Sequence, residues 1–252
     1  MTSFKLSLLA GAASLALTTG TEAKPITFTY MISSGSGTIG STPFTNQPIT
    51  ITANGDTSNV VPSSSSYVLK ADTASVTIGS LGPYKFVTGL EFGASHTPGI
   101  AALIVVFRAD PPNVDLVDGP SFTSSSANYA AVAAWQMTTP IGPLSSQGTV
   151  NGWNPADCNV GPPCSPPITP ITTNAGDMVV FDSAKAITLT FSATMAPTFA
   201  GTPGTLTCFA QSIAAVAQEF KGLTNAAALL NYARGLPALE EDIITYCNTP
   251  TS

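Results

Sequence analysis

The stretch Ile26-Thr27-Phe28-Thr29-Tyr30-Met31-Ile32 puts bulky side chains at 26, 28, 30 and 32 and fills the gaps with Thr27, Thr29 and Met31. Side chains on an extended strand alternate between two faces, so a period of two specifies a strand buried on one side and wet on the other. An amphipathic helix would instead space its apolar positions three and four apart. The same rhythm returns in Ile49 and Ile51 against Thr50 and Thr52, and in Ile187, Leu189 and Phe191 against Thr188 and Thr190. Tyr84, Phe86, Leu90 and Phe92 share a parity, and Trp135 falls in an alternating Tyr129 to Met137 run, as a core residue. Ala101 to Phe107 is continuously apolar, as expected of a central strand covered on both faces. Turn-forming residues separate these runs at Gly35 to Gly40, Asn54-Gly55-Asp56, Gly79 to Pro83, Pro111-Pro112-Asn113 and Asp118-Gly119-Pro120. The pattern predicts a mainly β chain forming an antiparallel β-sandwich or jelly-roll-like domain.

After a Pro-, Gly- and Thr-rich segment from Ala193 to Gly204 the period changes. Phe209, Ile213, Val216 and Phe220 recur at helical spacing up to Gly222. Thr224 is placed to cap a second helix reaching Arg234, and Pro237 with Glu240, Glu241 and Asp242 marks the first turn of a third. The chain therefore divides into residues 1–23, a β-sandwich over 24–200 and a small α-helical unit over 201–252.

Residues 1–23 have the three parts of a secretory signal: a basic start with Lys5, an apolar run from Leu6 to Leu17, and a polar end with small residues at Thr21 and Ala23, which places the cut before Lys24. The apolar run is shorter than the roughly 20 residues needed to span a bilayer, and no later segment qualifies as a span. Export would permit disulfides, and the chain has four cysteines, Cys158, Cys164, Cys208 and Cys247. Three pairings are formally open. Cys158 and Cys164 bracket a turn-forming insert and can form a small clip, and Cys208 with Cys247 would close the helical unit. A zinc site is disfavoured, because Cys-x5-Cys is not a zinc-knuckle spacing and the one histidine, His96, lies far away in sequence.

Composition excludes some function classes. Charged residues are 9% of the chain, against about 25% in an ordinary soluble domain. The net charge is −6, and no cluster of Lys or Arg forms the footprint of a nucleic-acid or anionic-membrane binder. Gly35-x-Gly37-x-x-Gly40 matches a dinucleotide-binding spacing, but Ser41-Thr42-Pro43-Phe44 opens no helix to hold a pyrophosphate, so it reads as a glycine-rich hairpin.

Catalytic chemistry has few candidates. His96 reads as an exposed loop residue following a strand, and no Gly-x-Ser-x-Gly elbow accompanies it. Carboxylates suit glycoside hydrolysis without a histidine. Asp110, Asp115 and Asp118 gather around Pro111-Pro112, and Asp177 and Asp182 flank Met178 to Phe181. The same aspartates are ordinary turn residues. The first group is also a candidate calcium site, although its spacing matches no ordered calcium loop. Trp153, between Asn151-Gly152 and Asn154-Pro155, is a candidate for stacking on a sugar ring. The ligand-binding candidates are thus Trp153, Asp115 and Asp118; no catalytic residue is assigned.

Segments of the β-rich part carry a resemblance. Gly35 to Thr45, Ile49 to Val60, Asp72 to Gly79, Asp118-Gly119-Pro120, Trp135 to Pro143 and Gly148 to Trp153 are similar in pattern to exported bacterial proteins of the PEP-CTERM type, over roughly residues 26–192. The resemblance implies a secreted β-sandwich without established activity, associated with the envelope or extracellular matrix. A Val-Pro-Glu-Pro element with its membrane helix and basic tail is missing where that family would carry it. The resulting expectation is a secreted or periplasmic, non-enzymatic envelope or matrix protein, with extracellular polysaccharide as a partner and no nucleic acid. The alternative is a carbohydrate-binding module or a carboxylate-dependent glycoside hydrolase.

Overall fold

The computed structural model describes residues 24–109, 115–151, 170–180, 186–197, 199–230, 232 and 234–248. The signal segment, Asp110, Trp153, Cys158, Cys164 and Asp182 lie outside the described residues.

The strands are β1 (Pro25–Ile39), β2 (Thr42–Asp56), β3 (Val60–Pro62), β4 (Ser66–Lys70), β5 (Thr73–Ile78), β6 (Leu81–Lys85), β7 (Leu90–Thr97), β8 (Ala101–Arg108) and β9 (Asp115–Thr123). A short helix α1 (Tyr129–Ala133) precedes β10 (Ile141–Val150), β11 (Ile171–Thr173), β12 (Gly176–Val180) and β13 (Ala186–Met195). Helices α2 (Cys208–Glu219), α3 (Leu223–Leu229) and α4 (Leu236–Asn248) follow. The chain is mainly β, as the alternation predicts.

One 13-stranded sheet runs β3-β4-β7-β8-β9-β10-β13-β1-β2-β5-β6, with β12 pairing β1 and β11 pairing β12. Every pairing is antiparallel. Four strands separate β1 from β7 in this order, which in a flat sheet would hold them roughly 24 Å apart. Yet the rings of Phe28 on β1 and Phe92 on β7 stack with centroids 4.9 Å apart. The sheet is therefore curled so that its own inner faces meet, and the expected two layers are two stretches of one sheet. A second closure lies beyond β6, where Phe86 bridges Thr173 and the Val87 N–H donates to the Thr172 carbonyl at 2.8 Å. Through β11 and β12 this leads back to β1, which protects an edge that would otherwise invite pairing with another chain.

The opening stretch supplies the centre of the core. Ile26, Phe28, Tyr30 and Ile32 are buried, while Thr27 and Thr29 are half-buried and Met31 is exposed. Phe28 also contacts the rings of Trp135 and Phe191. Such aromatic pairs contribute about 0.5–1.5 kcal/mol each beyond their burial. Trp135 is 4% exposed and its indole N–H donates to the Thr139 carbonyl at 2.8 Å, so it is core, as expected.

Register shifts between Ile32 and Gly35, and between Gly35 and Gly37, move the inward positions of β1 from even to odd, ending on Ile39. This explains the glycines. A Cβ on Gly37 would sit 2.0 Å from the Val179 carbonyl oxygen of β12, and Gly40 turns the chain at φ +54. The Gly-x-Gly-x-x-Gly spacing is a hairpin, but its turn is confined to Gly40-Ser41 and the residues from Gly35 to Ile39 are strand.

Other expected turns are corrected in the same way. Asn54 and Gly55 continue β2 because they pair with Thr27 and Ile26, and the turn begins at Asp56, whose carboxylate accepts from the Ser58 N–H. Asp118-Gly119-Pro120 lies inside β9. The alternation from Tyr129 is a short helix, and only Val132, Trp135 and Met137 of that run are buried. His96 belongs to β7 and pairs with Ala102.

The helical unit has its own core of Cys208, Val216, Phe220, Ala226, Ala227, Leu239, Ile243 and Cys247. Cys208 and Cys247 are disulfide-bonded, with an S–S distance of 2.00 Å. α2 ends close to the predicted position. α3 begins at Leu223, one residue before the expected cap Thr224, and ends at Leu229, earlier than expected.

Candidate functional site

Asp115 and Asp118 are three residues apart on β9, a spacing that puts side chains on opposite faces of a regular strand. The register removes that separation. Val106 pairs with Val117 and Phe107 pairs with Asp115, so Leu116 is an extra residue, a bulge. Leu116 and Val117 are consequently both buried, whereas Asp115 is exposed and Asp118 half-buried. The bulge returns the two carboxylates to one face.

Their electrostatics show the proximity. Burial raises the Asp118 carboxyl above its ordinary value and the neighbouring Asp115 charge raises it further, while a hydrogen bond from Asn151 opposes both. Partial desolvation also raises Asp115, an otherwise exposed residue. The Asn151 side-chain amide donates to Asp118 Oδ2 at 2.7 Å, and the Asn151 backbone N–H donates to the Leu116 carbonyl at 2.7 Å. Asn151 thus extends the pairing of β10 with β9 and fixes one carboxylate. Below the pair the Tyr30 hydroxyl donates to the Gly119 carbonyl, and burial, then the Asp118 charge, push its phenol well above the usual range. The result is two carboxyl groups on one face, one of them held by an amide, both with a pKa raised above the ordinary value. This is the raw material of acid catalysis. Among the described residues no group of three His, Cys, Asp or Glu side chains could hold a metal ion.

The other candidates are dispersed. His96 is half-buried on β7 opposite Ala102, whereas Asp118 lies on the other flank of β8 opposite Val105. Three residues along β8 and two strand widths separate them, about 10 Å in each direction. Among the described residues His96 and Asp118 therefore form no relay. Asp177 accepts from the Thr172 hydroxyl at 3.0 Å across the β11–β12 hairpin, a structural role. A shallow open depression of about 280 Å³ lies elsewhere, lined by Phe44, Gln47, Ile78 and Leu81 among others. It contains none of His96, Asp115, Asp118 or Asp177.

The sheet also presents a polar face that no single strand discloses. The registers of β10, β13, β1, β2 and β5 align Ser145, Thr190, Met31, Thr50 and Thr77 in one row. The next row is Ser192, Thr29, Thr52 and Ser75, and the one after it Thr194, Thr27, Asn54 and Thr73. No side chain in these rows is charged. Several are linked sideways: Thr190 donates to Ser145 at 3.1 Å, Thr27 to Asn54 at 2.8 Å, and Asn54 to Thr73 at 3.3 Å. Threonine suits an outward strand position in general. The signal for this face was already present in the alternating Thr residues, but the rows required the register.

No protein-family model, curated protein or solved structure matches the chain. No helix among the described residues is long and apolar enough to cross a membrane.

Proposed function

We propose that the chain is an exported, non-catalytic envelope or extracellular-matrix protein that meets neutral polysaccharide through the outer face of β10, β13, β1, β2 and β5. The observation that carries this reading is the uncharged, hydroxyl-bearing character of that face. Hydroxyl and amide groups donate and accept at once, which matches the hydroxyls of a neutral glycan, and the rows hold no cation to attract a polyanion. Two other features support export: the leader-like residues before Lys24 and the Cys208–Cys247 disulfide, a bond that persists in oxidising compartments. The resemblance to exported proteins of the PEP-CTERM type points the same way.

The test has two arms. Expressed with its leader in an export-competent bacterium, the protein should be recovered outside the cytoplasm with Lys24 as its first residue. The mature protein should be retained on insoluble neutral polysaccharides, and a Thr29→Lys/Thr52→Lys variant should lose that retention. Failure of the folded wild type to bind any polysaccharide in such a panel refutes the reading.

The Asp115–Asp118 pair supports a second reading, a carboxylate-dependent glycoside hydrolase. It requires glycan hydrolysis by the purified protein, abolished in Asp118→Asn.

A further inference from the structure

Among the described residues there are two hydrophobic cores with no residue in common, one inside the curled sheet and one inside the helical unit. The polypeptide passes from Met195, buried in the first, to Phe199, which packs on the second and contacts the Tyr246 ring at 5.3 Å. The connection is therefore very short and joins two separately closed bodies.

A second link joins them at a distance in sequence. Lys24 Nζ lies 2.5 Å from Glu219 Oε1, with side chains 28% and 20% exposed. Each partner is placed in a way that favours a specific role. Lys24 is fixed by its backbone: its main-chain nitrogen, the α-amino group once the chain is cut before Lys24, donates to Thr57 Oγ1 at 3.0 Å, and its carbonyl accepts from the Thr57 N–H at 3.0 Å. Thr57 is itself buried in the turn that Asp56 caps. The ammonium is thus presented from a rigid base, which lowers the entropy lost on pairing. Glu219 is the last residue of α2. There a carboxylate faces the negative end of the helix dipole and destabilises the helix unless a cation neutralises it. Lys24 supplies that cation and interacts favourably with the helix end as well.

We infer that Lys24 and Glu219 form a clasp that sets the docked position of the helical unit on the sandwich, and that the unit swings about the connection at Ala196-Pro197 when the clasp opens. The clasp is a charged contact at a partly exposed boundary, so salt weakens it. The disulfide and the helical core lie wholly on one side of it and keep the unit folded in the open state.

The experiment uses the full mature chain with nitroxide labels at exposed Asn59 and Ala214, one on each body. Wild type gives one narrow interspin distance. Lys24→Glu and Glu219→Lys each place like charges together and should lower the docked-to-open ratio about fivefold or more, the scale of a partly exposed ion pair. The milder Glu219→Gln shifts the ratio in the same direction, and the exchanged pair Lys24→Glu/Glu219→Lys restores the narrow distance. Amide exchange on α2 and β1 establishes that both bodies stay folded in each variant. The inference is overturned if the single variants, folded by that criterion, keep the wild-type distance, or if the exchanged pair is as open as either single change.

Discussion

Replacing both cysteines of the helical unit, Cys208→Ala/Cys247→Ala, isolates how much of that unit stands on its covalent closure. The bond joins residues 39 apart. On the chain-entropy account a loop of that length contributes about 4 kcal/mol by restricting the unfolded chain. The unit from Cys208 to Asn248 is a short piece of chain, and at ordinary stability per residue about 40 residues hold only about 2–6 kcal/mol in all. Its core is correspondingly small, resting on Val216, Phe220, Leu239 and Ile243 with Ala226 and Ala227. Loss of the bond therefore removes most of the stability the unit has. Amide exchange followed by peptide mass spectrometry should show protection in α2 and α4 falling by about three orders of magnitude, at 1.4 kcal/mol per decade. Protection in β1, β2 and β13 should be unchanged, because no described residue of the helical unit belongs to the sandwich core. A loss of less than about tenfold in α2 and α4 would refute the reasoning.

Two further changes test the sandwich and the candidate site. Gly37→Ala drives a Cβ into the Val179 carbonyl, a backbone atom that cannot rotate away, and should cost about 1–3 kcal/mol in denaturant unfolding; an unchanged midpoint would mean that β1 and β12 do not approach as described. Asp118→Asn removes a carboxylate whose pKa the fold raises, while Asn still offers an oxygen to Asn151. Because the folded pKa lies above the unfolded one, the wild type has the full benefit of the protonated form below pH about 3.9 and loses it as pH rises through the folded value. The variant should therefore equal or exceed wild-type stability near neutrality, by under about 1 kcal/mol given solvent screening, and its stability should vary less with pH across that window in thermal melts.

The fold was legible wherever a single strand buries one face, because the period of two is a local property of the chain. Ile26 to Ile32 and Ile187 to Phe191 needed nothing beyond their own residues. What stayed hidden was set by neighbours. Asn54-Gly55 and Asp118 stand in stretches of turn composition, yet partners across the ladder hold them in strands. Gly35 and Gly37 look like turn glycines and instead relieve crowding, Gly35 against Ile49 and Gly37 against Phe44 and Val179. The site follows the same division. Sequence nominated Asp115 and Asp118 as residues of a loop, but the bulge at Leu116 that brings them to one face exists only in the pairing with β8. Asn151 appeared only as a neighbour of Trp153, and its bond to Asp118 depends on where β10 ends against β9. The hydroxyl rows make the point most generally. Each strand discloses its own Thr residues, but whether they form a surface depends on register, which shifts a whole side-chain set to the other face when it slips by one residue. A buried Phe28 fixes that register from inside, so the outward rows are a consequence of the core and inherit its precision.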